Sequence, residues 1–120
     1  IRATVDAAAA SLGFRPELRL DGPIDSAVPD EVRPDLVAVL REALSNVVKH
    51  ARASQVTVHI DVAERRLRLT VADDGVGVPS EVDERSGLLN IRERAALHGG
   101  TVEVTASQPS GVTLTWTVPL

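Results

Sequence analysis

Residues 55–77 read QVTVHIDVAERRLRLTVADDGVG. Two stretches within this run alternate apolar and polar residues. In the first, Val56, Val58, Ile60 and Val62 fall on one side; in the second, Leu67, Leu69 and Val71 do. Ala63-Glu64-Arg65-Arg66 between them has room only for a turn, so the pair predicts a β-hairpin. The second strand, 67–72, runs out into Asp73-Asp74-Gly75-Val76-Gly77. A carboxylate at a strand end can accept a hydrogen bond from an amine, and glycines let backbone approach a ligand closely. The same pentapeptide is also ordinary turn chemistry, and only its neighbours decide between the two.

Downstream, Val78 to Arg85 is a polar loop carrying Pro79 and several acids. Ser86 to Leu97 predicts a helix with Leu88, Ile91 and Ala95 on one side, ended by Gly99-Gly100. Thr101–Ala106 and Val112–Val118 alternate again and predict a second hairpin around Gln108-Pro109-Ser110-Gly111. Upstream, a long helix begins between Asp30 and Pro34 and runs to about Arg52. Either Asp30 caps it or Pro34 occupies its first turn. Leu36, Val39, Leu40, Ala43, Leu44 and Val47 make its apolar face. Ala3–Leu12 is helix-prone with Gly13 as its stop, Arg15–Leu20 reads as an edge strand, and a loop extends to Pro29. Two or three helices interleaved with four or five strands predict an α+β fold. Its expected architecture is a two-layer α/β sandwich, a mixed and mostly antiparallel sheet covered on one face by helices.

The chain of 120 residues suits one domain, and 43% hydrophobic with 25% charged residues is a globular composition. Only 2% of residues are aromatic, so Val, Leu, Ile and Ala must build the core. A net charge of −4 argues against a nucleic-acid surface, and the absence of cysteine excludes disulfides and thiolate metal sites. No apolar run approaches the ~20 residues that span a bilayer, and no signal-peptide pattern opens the chain.

On a helical wheel with Glu42 at zero, Asn46 falls near ~40°, Lys49 near ~−20° and His50 near ~80°. Glu42, Asn46 and Lys49 then form one stripe beside the buried face, with His50 on its border. A carboxylate, an amide, an amine and an imidazole so placed can together meet a metal-bound polyphosphate. Solvated charges, or Glu42 paired with a basic neighbour, would give the same stripe.

The segments together resemble the catalytic ATP-binding domain of a sensor histidine kinase, in the Bergerat-type (GHKL) ATPase superfamily. Residues 42–51, Glu42-Ala43-Leu44-Ser45-Asn46-Val47-Val48-Lys49-His50-Ala51, resemble the family's N box, and Asp73–Gly77 its first glycine box. Gly87-Leu88-Leu89-Asn90-Ile91-Arg92-Glu93-Arg94-Ala95 with Gly99-Gly100 resembles the glycine-helix segment of the nitrate-sensor-like branch, and the Gly111 hairpin the last box. A weaker likeness is to actinobacterial oxygen- or redox-sensing kinases. The motifs come in the family's order and cover about residues 30–120.

The resemblance implies a Bergerat fold, ATP and Mg²⁺ as cofactors, and transfer of the γ-phosphoryl group to a histidine. It implies Asn46 as the Mg²⁺ ligand, Glu42 as a base or polarising group at the γ-phosphate, and Lys49 and His50 near the phosphates or ribose. Asp73 would accept from the adenine amine, Gly75 and Gly77 would admit backbone, and Val78 would cover the ring. Gly87 and Leu88 would offer N–H groups at a helix start, where an anion is favoured. The expected partners are an upstream dimerisation and phosphoacceptor histidine domain of the same kinase and a response regulator. No nucleic-acid or membrane contact is expected, and the domain should be monomeric and cytoplasmic.

Departures from the pattern are informative. Residues 78–86 are short for an ATP lid, which implies weak nucleotide binding. Val112 follows Gly111 where the family usually has Thr, and Thr113 should face the opposite side of the strand by alternation. No dimerisation helix with a phosphoacceptor histidine is visible, so the chain is expected to be the C-terminal catalytic piece of a longer kinase. His59 and His98 lack a partner constellation in the sequence and read as surface or packing residues; Trp116 reads as core. Arg92-Glu93-Arg94 reads as a solvated helix face, with a docking role as the alternative, and Asp74 as a helper of Asp73 or a turn acid. Two other functions stay open: a serine kinase that binds a sigma factor, from the same superfamily, and a nucleotide-binding regulatory module without turnover.

Overall fold

The structure, a computed structural model, describes residues 1–75, 88–106 and 111–120; of His50, Ala51 and Leu88 it describes the backbone only. Helix α1 (Arg2–Leu12) stops at Gly13, whose φ of 84° is left-handed and whose N–H donates to the Ala9 carbonyl. Strand β1 (Glu17–Asp21) and a short helix α2 (Ile24–Ala27) follow. Then come α3 (Arg33–Asn46), a π-turn (Val47–Ala51), β2 (Val56–Ala63) and β3 (Arg66–Asp73). Helix α4 (Leu88–Leu97) and strands β4 (Thr101–Ala106) and β5 (Val112–Pro119) complete the described elements.

The five strands form one sheet in the order β1-β2-β3-β5-β4. The two hairpins pair as the alternation predicts: Ile60 lies opposite Leu69, and Val104 opposite Leu114. β3 also pairs antiparallel with β5, Leu69 opposite Trp116. β1 alone runs parallel to its neighbour, Leu18 beside Val58. That pairing is possible because α2 and α3 supply the long crossover that parallel strands require. Glu64 and Arg65 turn the first hairpin with φ of 53° and 60°. Two consecutive positive values match the turn whose twist suits a two-residue hairpin, without the Asn-Gly that usually occupies it.

Helices cover one face of the sheet. Val58, Ile60, Leu67, Leu69, Trp116 and Val118 point toward them, and Leu36, Val39, Leu40 and Leu44 of α3 meet these with Ile91 and Ala95 of α4. Trp116 is fully buried, as its strand parity predicts, although its indole N–H finds no acceptor among the described residues. The other face carries half-exposed Thr57, His59, Asp61, Arg68 and Thr70.

Of the two starts expected for α3, the structure has Pro34 in the first turn, with no side-chain cap. Two local expectations change. The predicted loop before Pro29 contains α2. The regular helix ends at Asn46 rather than near Arg52, because the next five residues take π geometry and Arg52 turns left-handed with φ 51°. Serine 86 and Gly87, predicted to open α4, and the 107–110 turn lie outside the described residues.

Gly111 locks the second hairpin to the first. Its φ is 103°, and a Cβ built there would lie 2.0 Å from the Asp73 carbonyl oxygen. Gly111→Ala is therefore expected to lower the unfolding free energy by more than about 1 kcal/mol. Denaturant unfolding followed through the single buried Trp116 measures this, and a wild-type midpoint would refute the contact.

Candidate functional site

Asp73 ends β3, the central strand, with the same parity as Leu67, Leu69 and Val71, so its carboxylate points to the helical side. It is the one buried charged residue described, 7% exposed. The Gly75 N–H donates to its Oδ1 at 2.9 Å, and the Val112 N–H donates to the same carboxylate. Burial pushes the Asp73 carboxyl above its ordinary range; the two N–H groups oppose this shift, and the neighbouring Asp74 charge adds to it. A carboxylate so held has little water and keeps acceptor capacity for a further donor.

Asp74 does something else. Its carboxylate accepts from the Ser54 hydroxyl at 2.6 Å and from the N–H groups of Ser54 and Gln55 at 2.8 and 2.9 Å. These bonds, the Ser54 hydroxyl first, hold its carboxyl below the ordinary range. The tandem acids therefore divide: Asp73 faces inward, and Asp74 pins the start of β2. Its expected role as a helper of Asp73 gives way to this one. Because Ser54 and Gln55 lie just past the π-turn, the pin also brings the end of the α3 segment to the same edge as Asp73.

On α3, Glu42 and Asn46 are half-buried, one helical turn apart. Glu42 lines a pocket of about 160 Å³ between α3 and α4, with Arg41, Asn90 and Arg94 among its walls. Lys49 does not share it. It is exposed in the π-turn and lines a separate groove of about 560 Å³ beside Ala3, Ala7 and Ser11 of α1. The wheel reading of one stripe thus breaks at Val47, since 100° per residue no longer holds through a π-turn. His50 lies in that turn, and its side chain is outside the described set. Gly75 is buried at the Asp73 loop, and Leu88 is the first residue of α4. Gly77, Val78 and Gly87, with the lid expected over 78–86, lie outside the described residues.

The histidines have partners that the sequence reading missed. His98 Nε2 lies 2.5 Å from Asp35 Oδ2, and Arg94 Nη1 donates to Asp35 Oδ1 at 2.5 Å. Arg94 is therefore part of the α3–α4 contact rather than a solvated face; Arg92 and Glu93 are exposed as expected. His59 Nε2 lies 2.7 Å from Asp21, which Arg19 also contacts at 3.0 Å. Partners 63 and 38 positions apart leave no local signal. The i, i+4 spacing of Arg94 and His98 is the only legible trace of the first cluster. Thr113 faces away from the Asp73 side, since Leu114, Trp116 and Val118 hold the buried parity of β5.

Residues 31–120 match the family described as histidine kinase-, DNA gyrase B- and HSP90-like ATPase. The sensor histidine kinase LiaS of Bacillus subtilis is 37% identical over 98 residues, covering 80% of this chain and 27% of LiaS. The nitrate/nitrite sensor protein NarX of Escherichia coli is 32% identical over 113 residues, covering 92% of this chain and 19% of NarX. Among solved structures, the ATP binding domain of PrrB from Mycobacterium tuberculosis superposes with a TM-score of 0.68 at 26% identity, covering 98% of this chain and 91% of that one. The chain spans about a quarter of the length of the curated relatives it matches. With the order of its sheet and helices and a buried acid at the end of its central strand, the chain belongs to the histidine kinase-, DNA gyrase B- and HSP90-like ATPase family.

Proposed function

We propose that this chain is the catalytic ATP-binding domain of a two-component sensor histidine kinase. It binds Mg-ATP and passes the γ-phosphoryl group to a histidine on a separate dimerisation and phosphoacceptor domain, from which a response regulator takes it. The observation that carries this reading is Asp73: a buried carboxylate that accepts two backbone N–H groups, beside a close backbone approach that only glycine permits. Such a group has a use if an exocyclic amine completes its shell, and this is how it would select adenine.

The remaining roles follow from position. Asn46, half-buried at the end of α3, offers a neutral oxygen that suits Mg²⁺, which keeps several waters and takes few protein ligands. When bound, Mg²⁺ neutralises charge on the phosphates. Glu42, which lines one pocket with Asn90 and Arg94, would take the proton of the attacking imidazole as its nitrogen bonds to phosphorus and ADP departs. Gly75, Gly77 and Val78 would border the base, and Gly87 and Leu88 the phosphates. Lys49 and His50 would reach the phosphates or ribose only from the π-turn. A cytoplasmic setting accords with this role.

Calorimetric titration with Mg-ATP, and labelled ATP mixed with the phosphoacceptor domain, test the proposal. Binding followed by acid-labile phosphohistidine is expected; label on serine, or absence of ATP binding, would refute it. Asp73→Asn should weaken ATP binding by about tenfold or more, the value of a hydrogen bond to a charged group. The same variant has a pH signature in the ligand-free protein. The folded Asp73 pKa is raised, so wild type carries a penalty above that pKa that fades as pH falls toward the unfolded value. The stability of wild type relative to Asp73→Asn should therefore rise on acidification from pH 7 to 4, and a flat or opposite trend would contradict the burial. Glu42→Gln should leave the ATP dissociation constant within about threefold and slow phosphotransfer by about a hundredfold or more. Equal loss of both would instead mark Glu42 as structural.

A further inference from the structure

Asp35 stands in the first turn of α3, two turns before Glu42. Both of its oxygens are engaged, one by Arg94 and one by His98, each at 2.5 Å. The Asp35 and His98 side chains are 15% and 16% exposed, which sets the cluster apart from an ordinary surface ion pair. Its carboxyl is held below the ordinary range by the His98 hydrogen bond first and by Arg94 next, so it stays an anion at neutral pH.

The geometry couples this cluster to the pocket. Asp35 meets Arg94 and His98, while Glu42 faces Asn90 and Arg94. Rising numbers on α3 meet falling numbers on α4, so the two helices run antiparallel. Sliding α4 by one residue along its axis would carry Asn90 about 1.5 Å past Glu42. A misplacement of about 1 Å can cost a hundredfold in rate. Ile91 and Ala95 bury apolar surface, which is non-directional, and past the helix end Gly100 approaches the Thr117 carbonyl too closely for a Cβ, which ties α4 to β5; the Asp35 cluster is a directional contact between α4 and α3.

We propose that Asp35 is a positioning residue for phosphoryl transfer, clamping α4 through Arg94 and His98 so that Asn90 and Arg94 stay opposite Glu42. This rests on the function proposed above and adds its geometric control. Asp35 is not in the Glu42 pocket and acts only through α4. The adenine end is built from β3 and β5, which the clamp does not touch, whereas Leu88, assigned above to the phosphates, opens α4 itself; loss of the clamp should therefore lower turnover by more than it weakens nucleotide binding.

The test uses the full-length protein that carries this chain. In Asp35→Asn, amide exchange across α4 should accelerate at least tenfold, kcat for autophosphorylation should fall at least tenfold, and KM for ATP should rise by a smaller factor than kcat falls. His98→Ala, which removes one of the two partners of Asp35 and is outside the pocket lining, should lower kcat at least threefold, again with a smaller change in KM. Asp21→Asn breaks a more exposed Asp–His pair on the edge strand β1 and should leave kcat unchanged. Wild-type kcat in both Asp35→Asn and His98→Ala overturns the clamp alone. So does an equal kcat loss in Asp21→Asn, which would mean general destabilisation. A wild-type protein that binds no ATP overturns the function proposed above, and the clamp's catalytic role with it.

Discussion

Putting one carboxylate at the end of the central strand, away from water, constrains everything around it. The group must be given N–H donors, and the described structure provides them from two directions, Gly75 in the loop ahead and Val112 on the neighbouring strand. The Val112 donor is available only if β5 begins directly beside Asp73, and β5 can begin there only if residue 111 has no side chain. The start of β2 must in turn be fixed against the same loop, which Asp74 accomplishes through Ser54 and Gln55. A loop donor, a glycine, a second acid and a strand register are thus tied to one desolvated charge.

The helical layer packs on the same face of the sheet toward which Asp73 points. α3 buries Leu36, Val39, Leu40, Ala43 and Leu44 on the sheet and keeps Glu42 and Asn46 at the border of that face, half in water. A border position lets a polar group keep a local environment of its own while remaining open to a ligand. α4 is held on α3 by apolar residues on one side and by Asp35, Arg94 and His98 on the other. Apolar contact supplies most of the attraction and the charged cluster supplies direction.

Much of this could be read from the chain. Strict alternation in 56–62, 67–71 and 112–118 announces strands with a defined inward face, and the same parity extended by two residues puts Asp73 inside. Gly13 and Gly99-Gly100 announce helix ends. What could not be read shares a physical origin: local patterns carry no information about distant partners or small changes of helical pitch. Val47-Val48-Lys49-His50-Ala51 looks like continuing α-helix, yet it takes π geometry and sends Lys49 toward α1. Asp35 and His98 are separated by 63 positions, and neither has a local reason to be more than a surface residue. The four residues of α2 sit among turn-forming Gly22, Pro23 and Pro29, whose composition masks a single helical turn.

β1 reaches its place differently from the other strands. β2, β3, β4 and β5 gain much of their pairing from tight hairpins, whereas β1 docks in parallel across a crossover that holds two helices. Closing that long excursion costs more chain entropy than closing a hairpin, and the strand has a neighbour on one side only. The sheet should therefore unzip from its β1 margin. Because Asp73 sits on the middle strand, breathing at that margin can proceed while the surroundings of the buried carboxylate stay assembled.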